Sequence, residues 1–427
     1  MVKILKQSSS KCIFIMILFT FLPQSNAANC SYAIDHENHK YTCVLKNAHV
    51  LLDNFDLIIE GTHLQGYSDD DVKVISISDS VIHTIQNTIF EKFKNLEEFL
   101  IIDGEVQAIN SNALESCEKL ETFHIQDAEL NKIPSRLFEN CKKLKELTFN
   151  NCGITTLEND VFYGIDKELQ KLDFSGNKLK SLSSDIFKGL IRLKELNLAS
   201  NEIESINESA FNDLIEVEKL MLNSNKIKSS LPSSIFKTLT NLTELDLRKN
   251  SISELKVDLF KELKNLKILD LSSNDIKELP EEIFTSLSNL KSIYLDFNNI
   301  KRLFINSFGE HNQTLIFTID NNKLYSIQPG FFNNFASLAY FHATENDCMD
   351  DYIFNHDNPI DFSDKKVKDI LHDCYYFHDP PKGFGEKYIT LLWIGLGVAV
   401  CMCAFLYGLH FYFVRSLKRE AQIQCIE

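Results

Sequence analysis

The chain has 427 residues, a formal net charge of -16 and 44% hydrophobic residues. This length and apolar content allow a sizeable packed core, and the low counts of glycine (14) and proline (8) argue against low-complexity linkers. A surface this acidic repels nucleic acids, heparan-like polymers and anionic lipids, so the composition favours a protein partner.

The N-terminus has the pattern of a secretory signal peptide. Three lysines among the first 11 residues precede an apolar run over 13–22, and small residues flank Asn26. The apolar run is shorter than the roughly 20 residues that a membrane-spanning helix needs. We therefore expect residues 1–27 to be removed after Ala27 and the following chain to be extracellular.

From residue 72 to residue 348 the sequence repeats with a period of 24 or 25 residues. Residues 266–279, LKILDLSSNDIKEL, show the unit, with apolar residues at positions 1, 4, 6, 11 and 14 and an asparagine at position 9. This spacing fits neither a helix nor a simple alternating strand. Repeats 1 to 12 begin at Val72, Leu96, Leu120, Leu144, Leu169, Leu193, Val217, Leu242, Leu266, Leu290, Thr314 and Leu338.

Two further columns keep the same phase. Position 9 holds asparagine in repeats 5 to 12, at Asn177, Asn201, Asn225, Asn250, Asn274, Asn298, Asn322 and Asn346. Repeats 1 to 4 carry Ser80, Gly104, Ala128 and Cys152 there. Position 19 is phenylalanine in most repeats, at Phe90, Phe138, Phe162, Phe187, Phe211, Phe260, Phe284, Phe308 and Phe332; Leu114 substitutes once and Phe236 is displaced by one residue.

This pattern resembles the leucine-rich repeat family. The resemblance implies an α/β solenoid over residues 72–347, a horseshoe with a parallel β-sheet on its concave face. Each repeat is expected to give a strand at positions 3 to 7, so that twelve strands spaced about 4.8 Å apart form a sheet about 55 Å long. The asparagine is expected to bind buried backbone groups of neighbouring turns, and the phenylalanines to stack on the convex side.

The same resemblance implies disulfide-bonded caps at the two ends of the solenoid, over 28–71 and 348–387. We pair Cys30 with Cys43 and Cys348 with Cys374. Caps of this family often hold four cysteines, whereas each end here offers two.

Cys117 and Cys141 lie 24 residues apart in the same slot of adjacent repeats, where other repeats have leucine. Equivalent Cα atoms of neighbouring turns lie about 5 Å apart, within the range of a disulfide. A third bridge and a pair of buried thiols are both compatible with this position.

Four Asn-X-Ser/Thr sequons, at Asn29, Asn207, Asn241 and Asn312, predict glycosylation. We expect the last three to lie in return segments, away from the sheet. Asn29 lies beside a cap cysteine.

No hydrolase, zinc-protease, phosphate-loop or Cys-X-X-Cys motif is present in the sequence. We therefore expect no enzymatic activity, no catalytic or metal-ligating residues and no cofactor.

The outward positions of the predicted strands are mostly Asp, Asn, Ser and Thr, and two groups depart from this composition. Leu100 and Ile102 are apolar early in the array. Later, over three adjacent repeats, lie the residues that we predict to bind a ligand: Tyr294, Asp296, Phe297, Asp320, Tyr340 and His342. Aromatic side chains beside fixed polar groups are typical of interface hot spots. Glycans, a lateral partner or the neighbouring cap are alternative explanations for such exposure.

A transmembrane helix is predicted over 388–414, because residues 389–414 contain no Asp, Glu, Lys or Arg and basic residues follow at once. The cytoplasmic tail is then 415–427, which is too short to fold into a signalling domain of the Toll type. Gly395, Ala399 and Cys403 lie at a spacing that lets helices pair, so a dimer is one option.

Together these features predict a single-pass type I glycoprotein of the plasma membrane that resembles Toll-like ectodomains and leucine-rich repeat adhesion proteins. We expect a receptor or adhesion protein that binds a protein ligand, or a second copy of itself, through the concave face. Two alternatives are a co-receptor for an immune or secreted ligand that acts with a separate signalling chain, and a passive structural surface protein.

Overall fold

Apolar side chains at positions 4 and 6 of every repeat set the inner face of a sheet. The pair is Leu172 and Phe174 in repeat 5 and Leu269 and Leu271 in repeat 9, and both members are buried in all twelve repeats. Side chains at positions 3, 5 and 7 point to the opposite face, as the two-residue period of a strand requires. The computed structural model describes residues 27–50, 57–229, 231–349, 352–354, 371–372 and 374.

Each repeat contributes one strand to a parallel array within a 15-stranded sheet. These strands are Val74–Ser78, Glu98–Ile102, Thr122–Gln126, Glu146–Asn150, Lys171–Asp173, Glu195–Asn197, Lys219–Met221, Glu244–Asp246, Ile268–Asp270, Ser292–Tyr294, His311–Thr318 and Phe335–His342. Neighbours pair position for position, as Leu172 with Leu196 and Leu245 with Leu269. The fold is therefore a horseshoe-like solenoid of parallel strands.

Antiparallel strands close both ends of this sheet. At the N-terminal end, Ser31–Ile34 pairs with Tyr41–Lys46, which in turn runs parallel to the strand of repeat 1. At the other end, Tyr352–Phe354 pairs antiparallel with the strand of repeat 12. Such strands cover edges that would otherwise offer unpaired backbone groups.

Disulfides join Cys30 to Cys43 in the N-terminal hairpin and Cys348 to Cys374 at the far end.

The return segments are built mainly from turns and short bridges. Small parallel sheets pair Ala27–Asn29 with Ile58–Glu60, His49–Val50 with Val81–Ile85 and Glu105–Ile109, Ser181–Leu182 with Ser205–Ile206, Lys228–Ser229 with Ser251–Ile252, and Arg302–Leu303 with Ser326–Ile327. The helical elements with defined bounds in the described residues are the α-helix Thr88–Lys92 and the 3-10 helices Asp69–Asp71, Ile305–Ser307 and Phe331–Asn334, and residues 371, 372 and 374 are also α-helical. This corrects the α part of the expected fold class, because a 24-residue repeat leaves too few residues for regular helices.

No helix within the described ranges is long and apolar enough to cross a membrane, and the predicted span at 388–414 lies outside them.

Strand length divides the array into two regions. The strands of repeats 1 to 4 have five residues, as expected, whereas those of repeats 5 to 10 have three. In repeats 5, 6, 8 and 9 an Asp or Asn at position 5 accepts a hydrogen bond from the backbone N–H at position 7, as Asp173 does from Ser175 at 2.8 Å. In these four repeats the local turn withdraws that N–H from the ladder and ends the strand early.

The asparagine ladder begins in repeat 5 and runs to repeat 12. Asn225 shows its geometry: Nδ2 donates to the carbonyl oxygens of Leu198 (2.9 Å) and Leu222 (3.0 Å), while Oδ1 accepts from the N–H of Ile203 at 3.0 Å. The amide thus bridges two successive turns and satisfies buried backbone groups that no strand partner reaches. This matches the role expected from the sequence.

Aromatic rings form a continuous column through the return side of the core. From Phe162 through Phe187, Phe211, Phe236, Phe260 and Phe284 to Phe308, successive ring centroids lie 4.9 to 6.4 Å apart. Phe236 keeps its place despite its one-residue displacement. Rings at these distances pack favourably.

Earlier in the chain, Cys117 and Cys141 form a disulfide between repeats 2 and 3, with Cα atoms 4.9 Å apart. The sequence was compatible with either a third disulfide or two buried thiols at this position, and the structure contains the disulfide.

Three sequons have described side chains. Asn29, Asn207 and Asn241 are exposed, and the latter two lie in return segments as expected. Asn312 does not lie in a return segment, because its backbone belongs to the strand His311–Thr318. At position 22, where the chain turns toward the next strand, repeats 8 and 9 have leucine and repeat 10 has His311. The extended segment that begins at His311 pairs directly with the strand Phe335–His342.

Candidate protein-binding surface

The outward side chains at positions 3, 5 and 7, with the turn residue at position 8, form what we call the open face of the sheet. Its composition changes along the array. From repeat 2 to repeat 8, position 3 is charged or polar: Glu98, Thr122, Glu146, Lys171, Glu195, Lys219 and Glu244. Repeats 9 to 12 have Ile268, Ser292, Ile316 and Tyr340 there.

The register of the sheet brings these side chains side by side. Ile268 pairs with Ser292, Ser292 with Ile316, and Ile316 with Tyr340. Tyr294 lies two residues along the strand from Ser292 and points to the same face. Both isoleucines are 36% exposed, an unusual environment for two β-branched apolar residues that lie only two strands apart on one sheet face.

Position 8 has a left-handed backbone in all twelve repeats. In eleven repeats this position holds a polar residue or glycine: Asp79, Asp103, Asp127, Asn151, Gly176, Ser200, Ser224, Lys249, Ser273, Asn321 and Glu345. Repeat 10 instead has Phe297, with φ of 54° and 58% exposure. A bulky side chain is disfavoured in this conformation, and water does not favour an exposed phenyl ring. Phe297 is therefore the residue of the open face that local structure explains least, and such outliers are a basis for proposing function.

We call Ile268, Tyr294, Phe297, Ile316 and Tyr340 the apolar patch. Of the predicted ligand-binding residues, the structure places Tyr294, Phe297 and Tyr340 in it. Tyr340 stacks on His342, with ring centroids 5.5 Å apart and planes inclined by 11°.

The two predicted aspartates beside the patch hold the repeats together. Asp296 accepts hydrogen bonds from Thr318 Oγ1 (2.5 Å) and from the backbone N–H of Asp320 (2.8 Å). Asp320 accepts from the backbone N–H of Thr344 at 2.6 Å and from its Oγ1 at 2.9 Å, and it also contacts His342. Burial raises the pKa of Asp296, and the two hydrogen bonds partly oppose this. These carboxylates therefore support the patch as well as giving it negative charge.

A depression of about 420 Å³ adjoins the patch. Its lining includes Glu244, Asp246, Asp270, Asp296, Arg248, Ile268 and Tyr294. Burial raises the pKa of Asp246 to about 6, with the charge of Asp270 adding to the effect, although Arg248 opposes it. We call its four carboxylates, with Arg248, the acidic depression.

The early group is smaller. Ile102 is 39% exposed and Leu100 is half-buried, with His124 on the next strand. Burial lowers the pKa of His124, and its Nε2 atom has no hydrogen-bond partner among the described residues.

The sequence prediction missed Ile268, Ile316 and the acidic depression. Comparing position 3 across repeats would have revealed the two isoleucines, because the change from charged to apolar is visible in the sequence. The depression depends on the depth of Asp246 and Asp270, which the sequence does not report.

Two family models match the chain. The model described as "BspA type Leucine rich repeat region (6 copies)" matches residues 65–177. The model described as "Leucine rich repeat" matches residues 167–227, 215–276, 240–300 and 264–313. The change from one model to the other coincides with the start of the asparagine ladder in repeat 5.

Solved structures with the same fold include a leucine-rich repeat protein of Leptospira interrogans, at 22% identity and a TM-score of 0.57 over 71% of this chain and 72% of that one. The APL1 leucine-rich repeat domain is 17% identical, with a TM-score of 0.59 over 75% and 77% of the two chains. A chain of the Drosophila Toll–Spatzle complex is 18% identical, with a TM-score of 0.52 over 66% of this chain and 48% of that one. At these identities the likeness shows the fold alone.

No curated protein sequence matches this chain. The two family models together run from residue 65 to residue 313, more than half of the 427 residues, and the chain belongs to the leucine-rich repeat proteins.

Proposed function

We propose that this chain is a cell-surface receptor or adhesion protein that binds a protein ligand through the apolar patch. In this proposal residues 1–27 direct secretion, residues 388–414 span the plasma membrane, and the solenoid is extracellular and glycosylated. The observation that carries the proposal is Phe297, an exposed phenylalanine in a left-handed turn position that is otherwise polar or glycine.

The surroundings of Phe297 support a protein rather than a small molecule as the ligand. The apolar patch extends over repeats 9 to 12 on an open sheet face, and its aromatic and aliphatic side chains lie beside fixed carboxylates. Protein interfaces have this combination of anchors and polar surroundings. The solved Toll–Spatzle complex is a case in which a protein of this fold is assembled with a protein partner.

Site-specific photocrosslinking tests the proposal. A benzoylphenylalanine at position 297 of the full-length chain, displayed on cells, is illuminated in the presence of secreted and surface proteins from the tissue that expresses the chain. The matched control has the same group at Val257, which is 47% exposed on a return segment. We expect a defined protein adduct from position 297 that is absent from position 257.

The adduct also separates the alternatives. An adduct with the mass of two chains identifies a homophilic adhesion protein, and one with a secreted protein identifies a receptor or co-receptor. Equal labelling at both positions, or no adduct, contradicts ligand binding at the patch and favours a passive surface role.

A further inference from the structure

The apolar patch and the acidic depression share side chains. Ile268 and Tyr294 belong to the patch and also line the depression, and Asp296 lies one residue before Phe297. A ligand seated on the patch therefore also meets the carboxylates.

The charge of the depression is only partly compensated within the chain. Arg248 is its one lining cation: Nε lies 3.1 Å from Asp246, and its guanidinium lies 3.8 Å from Asp270. Four carboxylates thus face one guanidinium. The side chains of Asp246 and Asp270 are only 11% and 15% exposed, so water screens their charges poorly.

Repeats 6 and 7 show the contrasting arrangement on the same face. There Glu195 at position 3 lies 3.6 Å from Lys219 at the same position of the next repeat, so the charges form a pair. Glu244, at position 3 of repeat 8, is followed by Ile268 instead of a cation. The row of charged residues therefore ends with an acidic residue where the apolar row begins.

We propose that the ligand presents a protein segment with an arginine or lysine beside a large apolar side chain. The cation binds in the acidic depression against Glu244 and Asp270, and the apolar side chain packs on Tyr294 and Phe297. This inference rests on the proposed function, because it specifies the partner of the same surface. A chain of net charge -16 repels a second copy at this acidic site, so charge complementarity selects a basic partner.

A phage-displayed library of random 12-residue peptides tests the inference without a known ligand. Cells displaying the full-length chain are the target, and parent cells remove background binders. We expect enriched peptides to combine Arg or Lys with an adjacent aromatic or aliphatic residue. The paired substitutions Glu244→Gln and Asp270→Asn, which keep the shape and one acceptor oxygen in each side chain, should weaken their binding at least tenfold. Raising the salt concentration should weaken it as well, because the contact is electrostatic.

Glu195→Gln is the matched control, since it removes a position-3 carboxylate from the same face without touching the depression. It should leave peptide binding unchanged. Neutral or acidic enriched peptides, no enrichment, or equal binding to the charge variants would each overturn the inference. If such results accompany a specific adduct at position 297, the basic-segment inference alone fails; without that adduct, the proposed function fails as well.

Discussion

Repeats 1 to 4 and repeats 5 to 12 satisfy the same turn in different ways. In the later region an asparagine amide bridges successive turns, as Asn225 does between Leu198 and Ile203. In repeats 1 and 2 position 9 has no asparagine, and the parallel ladder beyond the turn, formed by His49–Val50, Val81–Ile85 and Glu105–Ile109, is longer than the two-residue strand pairs found beyond the turn in the later repeats. The difference teaches that the turn needs hydrogen-bond partners, whereas the source of those partners can vary.

The cores of the two regions differ accordingly. Phe99, Phe123 and Phe149 occupy inner strand positions early in the array, where repeats 6 to 9 have leucine. A disulfide crosslinks repeats 2 and 3, whereas repeats 5 to 12 rely on the asparagine ladder and the phenylalanine column. Cys152 marks the transition, since its thiol occupies the asparagine slot and lies 3.4 Å from the carbonyl oxygen of Ile125.

The largest effect is expected from breaking the ladder. Asn225→Ala leaves two carbonyl oxygens and one N–H without partners in the core, so it should lower the free energy of unfolding by about 3 to 5 kcal/mol. Cys152→Ala, in the same slot, removes only weak thiol contacts and a small volume and should cost about 1 kcal/mol. Hydrogen exchange of the purified full-length chain should show faster exchange at Ile203 in the first variant. If the two substitutions lowered the free energy of unfolding equally, the Asn225 amide would contribute no more to stability than the Cys152 thiol.

The disulfide between repeats 2 and 3 should have the next largest effect. Replacing both Cys117 and Cys141 with alanine removes a crosslink closing a 24-residue separation, for which about 3 kcal/mol of stability is expected. Replacing both with leucine, the residue that later repeats have in this slot, should recover part of the loss through packing. Thermal unfolding compares the three proteins. If the leucine variant matches the alanine variant, the slot requires the bridge itself.

Much of this architecture could be predicted from the sequence, because it depends on periodic burial. The phase of Leu172, Phe174 and Asn177 within repeat 5 is enough to place the strand, the core and the turn. The ends of the strands were harder to predict from the sequence. In repeat 5, for example, the end depends on whether the N–H of Ser175 donates to the side chain of Asp173 or to the neighbouring strand. The strand containing Asn312 was also missed, since a return segment pairs with its neighbour when a turning leucine is absent.

The candidate site was only partly predictable for a related reason. Tyr294 and Phe297 stand out by residue type, so the sequence alone identifies them. Asp320 has a residue type typical of a binding site, yet its carboxylate is largely used by Thr344. Hydrogen-bond partners of that kind come from the next repeat, and a single motif does not reveal them.

A third test addresses the later region, where position 5 contains buried carboxylates. Burial raises the pKa of Asp246 from its ordinary value of 3.8 to about 6, so the folded chain holds a proton that the unfolded chain releases between these pH values. The free energy of unfolding should therefore fall as pH rises from about 4 to about 6. Asp246→Asn should gain about 1 to 2 kcal/mol at pH 7.5 and almost nothing at pH 4. Denaturation at the two pH values measures this, and a gain that is independent of pH would assign the effect to packing instead.

The smallest effect concerns Phe297 and separates function from stability. Asn is the non-glycine residue that best tolerates a left-handed turn, so Phe297→Asn should raise the free energy of unfolding by about 1 kcal/mol. Ser273→Asn, at the same position of repeat 9, should change it by only a few tenths, because serine carries no bulky side chain there. Thermal unfolding of the two variants gives the stabilities, and the peptides selected on the wild-type chain give the binding. A more stable variant that no longer binds shows that Phe297 is maintained at a cost to the fold, as expected of a binding residue. A less stable variant would show instead that the ring packs on its own repeat, and its exposure would then carry no argument for a partner.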